Sequence, residues 1–175
     1  MAPGPSATEH REGPIPTRGT VMSALLETTD PKPGTEPDLA ELRARAACMD
    51  VIDAFFRWVD DGEAERTVEL FTPNGELVMD QAHFTGTALT AAMRARQDAT
   101  SKSGVHVPAA SSFRLLAPGE AETHTYLHLY RDADQQDGHP PVARAVTQIK
   151  DRFVRGEDGR WRIARRVVNV VAGGE

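Results

Sequence analysis

From Asp38 onward the apolar positions settle into a helical rhythm. Leu39, Leu42, Ala46, Met49, Ile52, Phe56 and Val59 recur at steps of three and four. That spacing predicts one long amphipathic helix, its apolar stripe widened by Cys48 and Phe55. Asp38 and Glu41 supply a capping box at its start, and Asp60-Asp61-Gly62 supplies a stop. Glu63 to Phe71 reads as a second, shorter helix started by Asp61, and Thr72-Pro73-Asn74-Gly75 as a turn. Two short strands, Glu76 to Asp80 and His83 to Thr85, lead through Gly86 into a third helix. That helix runs from Thr87 to about Ala99 and carries Leu89, Ala92 and Met93.

The rhythm then changes to two. His106 opens a strand that runs through Phe113 and Leu116, and Pro118-Gly119 turns the chain into a strand from Ala121 to Tyr130. A polar loop, Asp132 to Pro141, leads to a hairpin over Ala143 to Val171 that turns at Glu157-Asp158-Gly159. Helices gathered early and antiparallel strands gathered late predict an α+β domain, its curved sheet wrapped around three N-terminal helices.

Alternation along these strands singles out two faces. His124, Tyr126, His128 and Tyr130 share one side, opposite Thr123, Thr125, Leu127 and Leu129. The second set is the expected cavity face, so the His/Tyr ladder is expected outside, where aromatic side chains suit a homodimer interface. On the next strand, Ala143, Ala145, Thr147, Ile149, Asp151 and Phe153 share one side, and Arg144, Gln148, Lys150 and Arg152 the other. Asp151 therefore falls on the apolar face. A buried carboxylate is costly unless it is paired or protonated. Two readings stand level: an ion pair with Arg165 or Arg166, or a functional acid.

Composition narrows the class. The chain has 175 residues, 39% of them hydrophobic and 26% charged, enough for one core with a tail. Residues 1–37 hold seven of the twelve prolines and few large apolar residues, and read as a disordered leader before a domain at 38–172. Met22 offers an alternative start. A formal charge of −6 argues against a nucleic-acid partner. The single cysteine, Cys48, excludes an internal disulfide and a cysteine zinc cluster, as suits a cytoplasmic protein. No apolar run approaches membrane-spanning length, so no membrane partner is expected.

Several local signatures now combine. Val59-Asp60-Asp61-Gly62 precedes a helix ending Leu70-Phe71-Thr72-Pro73-Asn74-Gly75, Phe84-Thr85-Gly86 opens the third helix, and Val105-His106 opens a strand. Ile149-Lys150-Asp151 and Gly159-Arg160-Trp161-Arg162-Ile163 complete the series. In this order they resemble the SnoaL-like and nuclear transport factor 2-like superfamily, over roughly residues 38 to 171. The resemblance implies a cone-shaped α+β barrel. Its members include ketosteroid isomerases, scytalone dehydratases, polyketide cyclases, dioxygenase small subunits and non-catalytic binders. Asp60 is similar to the carboxylate that orients a histidine in the scytalone dehydratase pattern, and His106 to that histidine. Asp80 lies near the position of the isomerases' proton-carrying carboxylate, and Asp151 resembles their second, hydrogen-bond-donating acid. The isomerase tyrosine is absent from the first helix, and Ile149 stands where the family often has an aromatic residue.

Those residues suggest a chemistry. A histidine with a carboxylate on one nitrogen is a base suited to neutral pH, able to take a proton beside a carbonyl. Asp151, if held neutral, would donate a hydrogen bond to the enolate oxygen. The expectation is a cofactor-independent lyase, isomerase or cyclase acting on a small apolar carbonyl metabolite, with His106 as base and Asp60 as its orienter. Polyketide-type secondary metabolism, such as antibiotic biosynthesis, is the setting this implies. Asp80, His83, Phe56 and Trp161 are candidate substrate contacts, although an exposed loop is the commoner place for a histidine such as His83 and the core the commoner place for Trp161. Opposed readings are a structural strand-end His106, Asp60 paired with Arg57, a non-catalytic binder or scaffold, and an oxygen-using hydroxylase or dioxygenase small subunit. No metal site is expected. His124 and His128 on one strand would lie about 13 Å apart, too far to share an ion.

Overall fold

The computed structural model describes residues 36–99, 104–135 and 138–173. The leader expected over 1–37 lies almost wholly outside the described residues. Helix α1 spans Leu39–Asp60. The Asp38 carboxylate accepts from the Glu41 N–H at 2.7 Å, satisfying one of the amides that a helix start leaves without a partner. At the other end Gly62 takes φ +80°, a conformation that suits glycine at a helix stop.

The short second helix is a correction. Ala64–Leu70 is a 3-10 helix, and the residue before it is Glu63, with no side-chain cap from Asp61. Seven residues that include the β-branched Thr67 and Val68 favour the tighter, shorter form. Strand β1 then covers Phe71–Met79, β2 Ala82–Thr85, helix α2 Gly86–Asp98, and strands β3 and β4 Gly104–Ala117 and Glu120–Arg131. Strands β5, Ala145–Arg155, and β6, Trp161–Gly173, complete the domain. The expected turn at Thr72–Gly75 is a bulge inside β1. Phe71 pairs with Ile163 and Glu76 with Arg165, so the intervening residues loop out of register. A Cβ on Gly75 would lie 2.8 Å from that of Phe71, so this fold-back requires glycine.

The six strands form one sheet in the order β2-β1-β6-β5-β4-β3. Every pair is antiparallel except β1 with β6, which is parallel. Helix α1 touches both β3 and β6. Those strands would stand about 14 Å apart in a flat sheet, so the sheet must curl around the helix. It stays open, with β2 and β3 as its edges. The α+β architecture of a curved sheet over helices is the one expected.

Register sorts the inner face into rows. Phe113, Thr123, Asp151, Arg166 and Leu77 form one row across five strands. Toward the far ends of the strands, His106, Leu129 and Ala145 form another. Between helix and sheet lies the core of Cys48, Ile52, Phe55, Phe56, Leu77, Phe113, Leu127, Ile149, Phe153 and Ile163. Among the described residues no helix is long and apolar enough to cross a membrane.

Candidate active site

Asp60 is the last residue of α1, so its carboxylate projects from the helix end toward β3, an edge strand. One oxygen accepts the His106 backbone N–H at 2.9 Å, and the other meets His106 Nδ1 at 2.5 Å. The backbone bond satisfies an amide on an otherwise open edge. The ring bond places the proton on Nδ1 and leaves the lone pair on Nε2. Both side chains are mostly buried, 13% exposed for His106 and 18% for Asp60. Asp60 thus pairs with the histidine and not with Arg57.

Phe56 lies one helical turn before Asp60, so it shares the same face of α1. Its ring stacks on the imidazole, centroids 5.4 Å apart at an interplanar angle of 25°. Of the expected substrate contacts, this one adjoins the dyad. On its own flank sits the Arg166 guanidinium, 5.2 Å from the Phe56 centroid and 4.1 Å from that of Phe55. Arg166 Nε and Nη2 donate to the two oxygens of Asp151 at 2.7 and 2.8 Å. Both side chains are essentially inaccessible. Arg166 Nη1 has no hydrogen-bond partner among the described residues, and the aromatic faces take that place.

The pairing decides what Asp151 offers. Its two oxygens serve as acceptors for a cation, so the expected hydrogen-bond donor is an arginine's partner. The ion-pair alternative, with Arg166 as the partner, is the one the geometry supports. The charge of Asp151 reaches Cys48 on α1, whose thiol is pushed up to about 12 by burial first and by that carboxylate second.

Three expected contacts stand elsewhere. Asp80 is exposed at the β1–β2 turn with φ 52°. His83 pairs across from Val78, on the outer face with Glu76, because Leu77 and Arg166 fix the inner one. Its Nε2 lies 3.5 Å from Glu76. Trp161 starts β6 and pairs with Arg155, at the end of the sheet opposite His106. It lines a cleft of about 350 Å³ with Trp58, Val51 and Leu70. His83 thus faces outward, and distance along the strands separates Trp161 from the dyad.

Two arginines beside the dyad were not singled out from the sequence. Arg96 in the last turn of α2 and Arg131 at the end of β4 are both partly buried. Burial, then repulsion from Arg131, lowers the Arg96 guanidinium, and Asp60 opposes that shift. Arg131 is lowered by burial and by Arg144, against Asp134, Asp60 and Asp132. Signals for both existed. Arg96 continues the α2 stripe of Leu89 and Met93, and Arg131 continues the inward alternation of Leu127 and Leu129. No group of three or more metal-ligating side chains is gathered among the described residues.

Comparison with known proteins agrees with this architecture. Among solved structures, an NTF2-like protein with a cystatin-like fold from Novosphingobium aromaticivorans superposes with a TM-score of 0.62 at 20% identity. It covers 80% of this chain and 94% of the other. A protein from the same organism described as "Putative Scytalone Dehydratase" gives 0.64 at 16% identity, covering 76% and 87%. A Catenulispora acidiphila protein in complex with S-DNPA gives 0.61 at 17%, covering 74% and 94%. At these identities the likeness is one of fold. No curated protein matches the sequence significantly. The model of the SnoaL-like domain matches residues 40–167, most of the chain, and on that match the chain belongs to the SnoaL-like domain family.

Proposed function

We propose that this chain is a cofactor-independent enzyme that moves a proton on a small, largely apolar, carbonyl-bearing metabolite. The step is a dehydration, isomerisation or cyclisation of the kind polyketide-type secondary metabolism uses. The observation that carries the reading is the two-point hold of Asp60 on His106. It fixes the ring against rotation and sets its tautomer. The bare Nε2 takes a proton from carbon beside the carbonyl, and Asp60 stabilises the imidazolium that results. The same nitrogen returns the proton to a leaving hydroxyl or to another carbon. Phe56 supports one face of the ring and keeps water from it. A fold neighbour's description as a scytalone dehydratase supports a proton-transfer reaction of this type.

The direct test is nitrogen-resolved NMR of the imidazoles. The expected state of His106 is Nδ1–H with Nε2 bare, lost or mixed in Asp60→Asn. An Nε2–H tautomer in the folded protein removes the base and with it the reading.

A second reading, a non-catalytic small-ligand binder, draws support from Asp151. With both its oxygens on Arg166, the second acid of the isomerase pattern is not available as a donor. A ligand recovered unchanged after prolonged incubation with protein whose His106 tautomer is correct would favour that reading.

A further inference from the structure

Asp60 holds one edge of the His106 imidazole through Nδ1. The direction in which Nε2 points depends also on the tilt of the ring's plane, and the surface stacked on that plane is the Phe56 ring. Catalytic geometry tolerates only about 10–20° of error, so whatever fixes Phe56 matters to the base. The outer torsion of a phenylalanine is broad, and packing is what narrows it.

Two groups besides His106 pack on Phe56. Phe55 meets it edge to face, centroids 5.3 Å apart at 75°. The Arg166 guanidinium lies over it, 5.2 Å from the centroid. Arg166 rises from β6 and His106 from β3, the two ends of the run β6-β5-β4-β3, and α1 touches both strands. They therefore reach Phe56, between them on α1, from different sides.

The guanidinium has a fixed plane of its own. Its Nε and Nη2 donate to the two oxygens of Asp151 at 2.7 and 2.8 Å, and two such bonds to one carboxylate set the plane of the fork. Nη1 has no hydrogen-bond partner among the described residues, which leaves the faces of Phe55 and Phe56 as its company. The Arg166 and Asp151 side chains are 1% and 0% exposed. Stability alone gives no reason for a charged pair in that place, because apolar side chains of similar volume often do as well or better. Orientation of a neighbour does give one.

We propose that Arg166, held by Asp151, is a positioning residue for the base: its flat guanidinium sets the plane of Phe56, and Phe56 sets the plane of the His106 imidazole. This deepens the reading of His106 as the base and rests on it.

The test observes the stack directly, through the ring-current shift that the Phe56 face imposes on the His106 Cε1 and Cδ2 protons. Phe56→Leu supplies the value without the ring. In the parent these protons should lie upfield of that value, and in Asp151→Leu/Arg166→Met they should return most of the way to it. The double substitution removes both charges together, so the fold is kept, and the Nδ1–H tautomer held by Asp60 is unchanged. Arg166→Lys, a cation without the flat fork, should not restore the shift. On a carbonyl substrate the double variant should lose about 10–10²-fold in kcat with KM near the parent value, the mark of a misplaced base and not of lost binding. A merely structural pair would change the urea midpoint and leave the imidazole protons where they are. An unchanged shift in the double variant overturns the proposal, and so does a full parental shift in Arg166→Lys. If the double variant fails to fold, Arg166→Lys decides. The His106 tautomer tests the base and the ring-current shift tests its positioning by Arg166, so either can fail alone.

Discussion

Asp151 on β5 lies directly across from Arg166 on β6, and its two oxygens accept from that guanidinium at 2.7 and 2.8 Å inside the core. Buried pairs of this kind are expensive to break from one side, because the surviving charge has no partner and no water. Asp151→Leu and Arg166→Met should therefore each cost about 3–5 kcal/mol of stability. The double substitution should cost less than either, since it removes both charges together. Urea midpoints of the two singles and the double provide the cycle. A double variant as unstable as the two singles combined would show that the pair is not coupled.

The burial of Asp151 was legible in the sequence, but its partner was not. Alternation along β5 put the carboxylate on the apolar face with Ile149 and Phe153. On β6 strict alternation from Ile163 selects Arg165 as the inward residue. The extra residue between them changes that: Phe153 pairs with Ile163 and Arg152 with Arg165, so Ala164 bulges and Arg166 turns inward. The same event on β3 brings His106 to the inner face with Phe113. Pro108 pairs with Leu127 and Ala110 with Tyr126, so Ala109 is unmatched and the parity flips. Periodicity shows which residues a strand buries, but a one-residue bulge leaves no mark in a pattern of apolar and polar letters. The Asp60–His106 contact came from the family resemblance, since the two residues are 46 apart in sequence. Arg96 and Arg131 were missed because inward arginines at element ends read as solvated charges.

Cys48 offers a simple check on the packing of α1. It has no exposed surface and sits within reach of the Asp151 charge, and its thiol is pushed up to about 12. A thiol pKa raised on folding contributes stability that is full below the unfolded value near 9 and is lost as pH climbs toward 12. At pH 8 the native protein should resist an aromatic disulfide reagent, and denaturant should release one rapidly reacting thiol. Fast labelling of the native state would contradict the packing described.

The outer face of β3 and β4 presents Val105, Val107 and Tyr126 at 53%, 42% and 43% exposure, with His128 and Tyr130 beside them. Their pairing places them all on the side away from α1, where the expected His/Tyr ladder belongs. We propose that two copies meet through this face, burying the aromatic and valine side chains that one copy leaves in water. Light scattering at micromolar concentration should give twice the chain mass, and Val107→Asp should return the monomer mass with an unchanged fold. A monomer in the parent protein would place these residues on an ordinary surface.

Asp60 has two tasks, and its two conservative replacements separate them. Its carboxylate holds the imidazole for chemistry and the His106 amide for the edge of β3. Asparagine retains an acceptor for the amide but can face the ring with an N–H, which disfavours the tautomer that leaves Nε2 bare. Alanine loses both contacts. On a carbonyl substrate, Asp60→Asn and His106→Ala should each lower turnover by about 10²–10⁴-fold, the usual share of a positioned base. Amide exchange at His106 should stay close to the parent rate in Asp60→Asn, and rise about fivefold in Asp60→Ala as roughly 1 kcal/mol of hydrogen bonding is lost. That exchange measurement needs no substrate. If both variants exchange like the parent, Asp60 does not secure the strand edge, and the geometry at His106 must rest on Phe56 and the sheet alone.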